Sequence, residues 1–465
     1  MEENELVPVP NNSLSRVSNI LRITQKILQE SSLNIEEKWT WWNNLSNKWK
    51  LVLCFLSDLD DKFSYNELIY GLFSQKINDE ELNKILDSES FVFCNPEALF
   101  LDYINYEEVN WSIDDLTPIS KLVNLKKLAF NDTQITDISP ISNLLNLKKL
   151  DLSRNKITDI SPLSGLVNLE EISLTCNEIK HFGEMNKLVK LKFLDLSLNG
   201  LNELYQLENL VNLKVLYLHY NYISDWEIIF LSKLINLEIL MMENNIIKDI
   251  SPLSSLVKLE YLSLSCNEIE DISPLSGLVN LKNIELKKNK IKNISSLSSL
   301  LKLERLELDN NQIEDISPLS CLVNLKNITL ENNKIKDISP LSSLVKLENL
   351  KLSNNKIKDI SPLSSLVKLE NLDLRDNKIK DISPLSSLVK LENLDLRDNK
   401  ITDISPLVDL VNLRYLHLDN TQITDISSLF KLSNLRWLDL SENNIDHNTI
   451  KELKEHLPEC SISFY

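Results

Sequence analysis

The sequence predicts an α/β solenoid, in which short parallel strands stack along one side and short helical turns line the other. A pattern of 22 residues recurs from Leu125 onward: fourteen consecutive repeats fit between Leu125 and Asn434, and only the one that starts at Leu213 is longer, at 24 residues. Leucines at positions 1, 4 and 6 alternate with polar residues, which is typical of a strand with one buried face. Position 9 is Asn in thirteen of the fifteen repeats that start at Leu125 or later. Because one repeat cannot bury its own leucines, the repeats must stack.

Each part of the repeat has a local reason for its predicted structure. The Asn at position 9 carries an amide that can bond the backbone of its own repeat and of the next, which predicts a ladder of buried amides. The Ile at position 11 returns to the core. In the Asp-Ile-Ser-Pro-Leu segment that follows, serine favours an N-cap and proline suits the first helical position, so we expect a short outer helical turn. Ten of the fourteen prolines, from Pro118 to Pro406, occupy this one place.

The chain divides into four predicted segments. Residues 1–12 form a polar leader that we expect to be disordered, and 13–102 form a helical N-terminal cap domain. Residues 103–434 hold one degenerate repeat and fourteen regular ones, and 435–465 hold a last repeat with a closing helix and strand. The cap domain contains four of the seven tryptophans: Trp39, Trp41, Trp42 and Trp49. They favour a cap over the apolar end of the stack, and a separate partner-binding or catalytic unit is the alternative.

Composition excludes several classes of function. The 465 residues carry a net charge of −18, which disfavours binding along a nucleic-acid backbone. There are only five glycines, and neither GxGxxG nor GxxxxGK[ST] occurs, which excludes the standard phosphate-binding loops. The six cysteines are scattered without a C-x-x-C pair, which indicates free thiols rather than a disulfide framework or a zinc site.

The start of the chain is acidic and polar, unlike a secretory signal, and no run of about 18 apolar residues occurs. We therefore expect a cytoplasmic protein without a membrane span. Export by a route that needs no such signal remains an alternative.

The pattern LxxLxLxxNxIxDIxPLxxL resembles the 22-residue leucine-rich repeats of bacterial internalin-like proteins, and the resemblance covers about residues 103–465. It implies a right-handed leucine-rich-repeat solenoid with a curved parallel sheet on its concave face and short helical turns outside. The implied function is binding of a protein partner on the concave face. Two alternatives follow from similar families: an exported effector or adhesin that binds a host protein, and a regulatory subunit of an enzyme such as a phosphatase.

Position 3 of the repeat, which faces outward on the sheet, changes character along the chain. It is charged in the first three repeats, apolar or aromatic in the next four, and then Asn or Arg in six. With neighbouring positions 5 and 7, the apolar break defines the predicted partner-binding residues: Phe193, Val215, Tyr217, His219, Ile239, Met241 and Tyr261. Large amphipathic side chains grouped on an exposed sheet are typical of interface hot spots. The alternatives are cross-strand packing that only stabilises the sheet, and contact with the insertion at residues 225–230. We expect this insertion to form a longer outer helix whose apolar side chains pack inward.

A second patch lies near the C-terminal end of the repeats. It comprises Tyr415, His417 and Trp437. We expect either a second partner contact or a face that the closing helix covers. Nearly identical repeats lie between the two patches. Their charged residues alternate in sign, which is typical of a solvated surface.

Catalytic and metal-binding motifs are missing from the sequence. None of the five histidines belongs to H-E-x-x-H, and no serine sits in G-x-S-x-G. Cys266 and His219 are separated by about two repeats, a poor arrangement for a nucleophile and its base. The sequence thus predicts a protein without catalytic activity or cofactor, and it shows no cluster of metal ligands.

Overall fold

The computed structural model describes residues 35–46, 49–50, 52–53, 79–86, 88, 90–94 and 113–464. The predicted leader and most of the predicted cap domain lie outside these residues. The chain forms two compact units, Met1–Gly200 and Leu201–Tyr465, called here the N-terminal and C-terminal units. Within the described residues, no helix combines the length and the apolar character needed to cross a bilayer.

The predicted solenoid of parallel strands is confirmed in each unit. The strands of the N-terminal unit are β1 (Ser90–Cys94), β2 (Lys127–Asn131), β3 (Lys149–Asp151), β4 (Glu171–Ser173) and β5 (Phe193–Asp195). Each pairs in parallel with the next along the chain. Its helices are α1 (Ile35–Asn44) and α2 (Asp79–Leu86).

The C-terminal unit continues the same pattern with twelve strands. They are β6 (Val215–Tyr217), β7 (Ile239–Met241), β8 (Tyr261–Ser263), β9 (Asn283–Glu285), β10 (Arg305–Glu307), β11 (Asn327–Thr329), β12 (Asn349–Lys351), β13 (Asn371–Asp373), β14 (Asn393–Asp395), β15 (Tyr415–His417), β16 (Trp437–Asp439) and β17 (Ser461–Ser463). Successive strands are again parallel neighbours. Its α-helices are α3 (Asp225–Ile228) and α4 (His447–His456).

The repeated leucines form the core. In one repeat, Leu303, Leu306 and Leu308 are all fully buried, and the same positions are buried throughout the described repeats. Burial of each such side chain contributes about 1.5–3 kcal/mol of transfer free energy. Since Leu306 lies opposite Ile328 in the parallel register, every repeat covers the leucines of its neighbour.

The predicted amide ladder is confirmed, but its direction is different. The Asn333 side chain donates to the Leu330 carbonyl at 3.1 Å in its own repeat and to the Leu308 carbonyl at 3.0 Å in the preceding one. Its Oδ1 accepts the backbone N–H of Ile313, also in the preceding repeat, at 3.0 Å. The expectation of bonds to the next repeat was wrong. The Asn310 N–H in the bend donates to a carbonyl of the following repeat. The other backbone groups of the bend, the Leu308 carbonyl and the Ile313 N–H, need partners too, and the Asn side chain of the following repeat supplies them.

The outer turns are 3₁₀-helices, and serine is not their N-cap. In one of them, Ser339–Ser343, serine is the first helical residue and follows Ile338. The cap is provided by Asp337, whose Oδ1 accepts the Ser339 N–H at 2.8 Å and whose Oδ2 accepts its hydroxyl at 3.0 Å. An Asp side chain bonds a backbone N–H two residues on more strongly than serine does, because it is charged.

The first described residues of the N-terminal unit are helical, and two of their tryptophans contact the first turns of the stack. The Trp41 indole donates to the Pro118 carbonyl at 3.0 Å, and the rings of Trp49 and Phe130 lie 5.7 Å apart. These contacts agree with the predicted cap. β1 pairs directly with β2, so the strand next to β2 comes from residues 90–94 and not from the predicted degenerate repeat. Residues 103–112 of that repeat lie outside the described residues.

The C-terminal unit closes with the predicted helix and strand. Asp446 caps α4 by accepting the backbone N–H groups of Asn448 and Thr449. Ile450 and Leu453 of this helix are buried, and β17 pairs with β16 as the last strand of the sheet. The open apolar edge of the last repeat is therefore covered.

Candidate functional site

The apolar residues of the first predicted patch line up on β6, β7 and β8. Val215 lies opposite Ile239, and Ile239 lies opposite Tyr261. The next residue in this column is Asn283, so the apolar run ends at Tyr261 as the sequence indicates. Beside it, Tyr217 lies opposite Met241.

The strand alternation explains why these side chains face outward. Leu216, Leu240 and Leu262, one position along in each strand, are fully buried, so the residues on either side point to the other face. The six predicted residues of the C-terminal unit are each half-buried: Val215, Tyr217, His219, Ile239, Met241 and Tyr261. Each therefore packs along the sheet and still presents part of its surface to solvent.

Phe193, the seventh predicted residue, belongs to the N-terminal unit. It lies in β5 opposite Glu171 and is also half-buried. The candidate partner surface on β6, β7 and β8 lies within the C-terminal unit and does not include Phe193.

An acidic residue that the sequence analysis did not select lies at the border of the patch. Glu243 Oε2 is 3.9 Å from His219 Nδ1. This oxygen is shielded from solvent and has no hydrogen-bond partner among the described residues. The His219 ring also packs edge-on against Tyr220, with centroids 5.9 Å apart. Glu243 occupies position 7, as His219 does one repeat earlier, and this shared column is the signal that would have identified it.

Tyr261 marks the change from apolar to charged surface. Its hydroxyl donates to Glu285 Oε1 at 2.5 Å, and Ser263 donates to the other carboxylate oxygen at 3.2 Å. Burial, together with this hydrogen bond to an anion, raises the pKa of Tyr261 well above its usual value. The phenol thus stays neutral and holds Glu285 in place.

In the two repeats after Tyr261, buried acidic side chains have cationic or hydrogen-bonding partners within the protein. Glu307 is buried and forms ion pairs with Lys287 and Arg305, while Lys287 also lies 3.9 Å from Asp309. Asp309 accepts the Thr329 hydroxyl at 2.5 Å and the Glu331 backbone N–H at 2.9 Å. Burial raises the pKa of the Asp309 carboxyl. The positive and negative side chains of this network compensate one another.

The insertion of the longer repeat differs from its prediction. We expected a longer outer helix whose apolar side chains pack inward, and α3 followed by the 3₁₀ turn Ile229–Lys233 supplies that helix. Ile228 and Leu231 are buried, but Trp226 is 79% exposed and Ile229 is 54% exposed. The inward packing is therefore wrong for Trp226 and Ile229, because a helix so short can bury only one side.

More apolar side chains are exposed at position 10, on the edge of the repeats beside the patch. Tyr222 is 67% exposed and Ile246, one repeat later, is 48% exposed. Most other repeats carry a charged or polar residue there, such as Lys290 and Gln312. The apolar character of repeats 213–258 thus extends from the sheet to this edge.

The second patch is exposed. Tyr415 and Trp437 lie opposite each other in β15 and β16 and are 48% and 37% exposed. The expected cover by the closing helix is therefore wrong, because β17 and α4 close the end of the stack and leave this face open. Tyr415 and His417 border a shallow depression of about 340 Å³ on the sheet, whose floor includes the linked amides of Asn349, Asn371 and Asn393.

A cluster of possible metal ligands that no sequence motif indicates lies next to this patch. One ligand atom each from His417, Asp419 and Asp439 lies within 4.8 Å of the others. The expectation of no metal-ligand cluster is wrong for these three residues. His417 and Asp439 share position 5 in successive repeats and Asp419 occupies position 7, so the strand register brings together residues that are far apart in the chain.

Cys176, Cys266, Cys321 and Cys460 are free thiols, as the sequence predicts. Burial raises the pKa of the Cys460 thiol to about 11, which disfavours the reactive thiolate. Cys54 and Cys94 lie outside the residues whose side chains are described.

Comparison with known proteins identifies the repeats. A family model described as "Leucine Rich repeats (2 copies)" matches residues 145–184 and, in overlapping pairs of repeats, 211–431. A "Leucine Rich Repeat" model matches residues 434–456. A search of curated proteins finds no match.

Several solved structures are similar. An internalin (inlF) from Listeria monocytogenes is 30% identical, with 80% of this chain and 94% of that chain covered and a TM-score of 0.52. A leucine-rich repeat protein of Leptospira interrogans is 24% identical, with coverages of 77% and 100% and a TM-score of 0.66. The functional domain of InlJ from Listeria monocytogenes is 24% identical, with both coverages 70% and a TM-score of 0.62. The last two support the fold alone. Because the family models match more than half of its residues, the chain belongs to the leucine-rich repeat family.

Proposed function

We propose that this chain is a non-catalytic binding module that recognises a protein partner through the outward face of β6, β7 and β8. The observation that carries the proposal is the apolar column Val215, Ile239 and Tyr261, which ends abruptly at Asn283. Stacked-repeat proteins use their exposed sheets as extended binding surfaces. Half-buried aromatic and aliphatic side chains in such a surface supply hot-spot energy without destabilising the free protein.

The chemistry of the face indicates the kind of partner segment. Apolar side chains of the partner would cover Val215, Tyr217 and Met241. A lysine or arginine beside them would pair with the Glu243 carboxylate, whose side chain is 21% exposed. The net charge of −18 favours association with a basic partner. The proposed ligand is therefore a protein segment that combines apolar anchors with a cationic residue.

The test replaces Tyr217 and Met241 by aspartate in one double variant. The matched control is Lys351→Asp, which also occupies position 5 on the exposed sheet and changes the net charge by the same amount. Wild type and both variants serve as bait in quantitative affinity purification, and recovered proteins are then measured against the purified baits.

We expect the double variant to lose a partner that Lys351→Asp retains. Loss of hot-spot contacts of about 2 kcal/mol or more corresponds to binding about 30-fold weaker. Equal recovery by the double variant would refute the site, provided circular dichroism shows the same fold. Equal loss by the control would mean that charge, and not the apolar face, decides binding.

The similarity to the Listeria internalin favours a second candidate, an exported protein that binds a host protein through the same face. A cytoplasmic location is the first candidate. Immunoblots of cell and culture-medium fractions, with a cytoplasmic enzyme as lysis marker, distinguish the two. Protein in the medium without the marker would support export and overturn the cytoplasmic assignment.

A further inference from the structure

His417, Asp419 and Asp439 form a cluster at the C-terminal end of the sheet. His417 ends β15, Asp439 ends β16 directly opposite it, and Asp419 lies two residues after His417. Strand alternation puts residues two apart on the same face, so all three side chains converge. Their ligand atoms all lie within 4.8 Å of one another.

Two atoms of this cluster are shielded from solvent without a partner. His417 Nδ1 and Asp419 Oδ1 have no hydrogen-bond partner among the described residues. Buried polar atoms in folded proteins are almost always satisfied, and exceptions often indicate an ion or ligand. Asp439 is held differently: its Oδ1 accepts the Ser441 N–H at 3.0 Å and hydroxyl at 2.6 Å. This leaves the second oxygen of an oriented carboxylate for the cluster.

The charges around the cluster are negative in sum. The carboxylates of Asp439 and Asp395 both repel the charge of Asp419, and the Arg397 guanidinium attracts it. The Arg397 guanidinium is already bonded to Asp395, at 2.7 to 3.0 Å. Three carboxylates and one guanidinium carry a summed charge of about −2, which matches a divalent cation.

We propose that His417, Asp419 and Asp439 bind one zinc ion. One imidazole nitrogen and two carboxylate oxygens suit zinc, whereas calcium and magnesium prefer oxygen ligands throughout. Ligands of a tetrahedral zinc ion lie about 3.4 Å apart, so side-chain rotations that move these atoms by about 1 Å would complete the site. Three protein ligands leave a fourth position for water, beside the exposed Tyr415 and Trp437.

The test measures zinc binding to chelator-stripped full-length protein by competition with a chromophoric chelator. Asp439→Asn keeps an oxygen that can accept the Ser441 bonds, and His417→Gln removes the imidazole. The matched control is Asp373→Asn, which occupies the same column two repeats before β15 and lies outside the cluster. Cobalt substituted for zinc provides a second readout, since its visible spectrum reports the coordination.

We expect one zinc ion per wild-type chain, unchanged binding to Asp373→Asn, and binding at least about tenfold weaker to the other two variants. Even residues that only orient a metal ligand change affinity by about 10- to 100-fold. The cobalt spectrum should appear in wild type and be lost in His417→Gln. Absence of stoichiometric zinc binding to wild type overturns the proposal. So does an affinity for zinc in Asp439→Asn and His417→Gln that equals the affinity of wild type. Circular dichroism of each variant separates loss of the site from loss of the fold. Because the proposed partner face lies on β6–β8, failure of this test leaves that proposal unaffected.

Discussion

At the scale of single residues, position 8 of the repeat makes the strongest demand on the backbone. All fifteen repeats from Leu125 onward place it in the left-handed region, with φ between 48° and 57°, and none uses glycine there. Asn or Asp fills eight of these positions, whose short polar side chains tolerate the conformation. The other seven, among them Leu198, Tyr220 and Lys288, carry a backbone cost of about 1 kcal/mol or more each.

A swap between neighbouring repeats tests this cost. Lys288 and Asn310 occupy position 8 in successive repeats, and both are exposed. We expect Lys288→Asn to raise the free energy of unfolding by about 0.5–1 kcal/mol and Asn310→Lys to lower it by a similar amount. Urea denaturation measures both. Changes of the same sign in the two variants would show that side-chain contacts outweigh the backbone at this position.

Threonine replaces asparagine at position 9 in two repeats, and its hydroxyl takes over part of the role of the amide. The Thr421 hydroxyl lies 2.8 Å from the Leu418 carbonyl and 2.7 Å from Asn443 Oδ1, and its single hydrogen can bond either oxygen. The Asn443 oxygen also accepts the Ile423 N–H at 3.1 Å, the same bond that Asn333 makes to Ile313 in the preceding repeat.

At the scale of the element, the outer turn depends on its leading Asp. Asp359 Oδ1 accepts the Ser361 N–H at 2.8 Å. This bond, and a further one to the Ser361 hydroxyl, hold the pKa of the Asp359 carboxyl below its usual value. One repeat carries Asn293 instead, and its amide oxygen accepts the Ser295 N–H at 2.9 Å. The turn therefore requires an acceptor, and the charge adds a pH dependence.

Two substitutions at Asp359 separate these roles. At pH 7 we expect Asp359→Ala to lower the melting temperature and Asp359→Asn to lower it less, because the amide keeps an acceptor. A carboxylate whose pKa is lowered in the folded state stabilises above the ordinary aspartate pKa near 3.8 and loses that effect as pH falls through the folded value. The gap between wild type and Asp359→Ala should thus narrow below about pH 4 in melts followed by circular dichroism. A constant gap down to pH 2.5 would contradict the role of charge.

At the scale of the whole molecule, two groups of carboxyls act in opposite directions. The pKa is lowered for exposed turn residues such as Asp359, Asp403 and Asp425, because each accepts a backbone N–H. Burial raises the pKa of Asp309 and Asp373 on the sheet. A raised pKa means that the folded state binds the proton more tightly, so stability rises as pH falls through the folded pKa toward the ordinary aspartate value. Stability should therefore be greatest in mildly acidic solution and fall again below about pH 4.

Asp373→Asn tests whether the sheet carboxyls with a raised pKa destabilise the folded protein at neutral pH. The amide oxygen can still accept the Arg375 N–H, which Asp373 receives at 3.0 Å, while the buried charge is removed. We expect the variant to be more stable than wild type at pH 7, on the order of 0.5 kcal/mol after solvent screening, and equally stable near pH 3.5. Chemical denaturation at the two pH values measures this. A gain of the same size at both would show that the effect is not electrostatic.

Much of this architecture could be predicted from the residues in order. The spacing of Leu303, Leu306 and Leu308 specifies which positions are buried, because a strand alternates its two faces and a repeat has no other way to hide its leucines. The Asn at position 9 indicated the ladder, and the column from Val215 to Tyr261 indicated the candidate face. Whether a protein partner binds there stays a prediction.

The stacked structure itself decided the rest. No glycine marks the left-handed position 8, so nothing in residues as different as Leu198 and Lys288 announces it. Asp337 replaces serine as the cap because the turn brings its carboxylate to the free N–H. His417, Asp419 and Asp439 meet only through the register of β15 and β16, and Trp226 stays exposed because a four-residue helix has one buried side. Periodicity assigns each residue to core or solvent, whereas contacts between repeats depend on how neighbouring strands align.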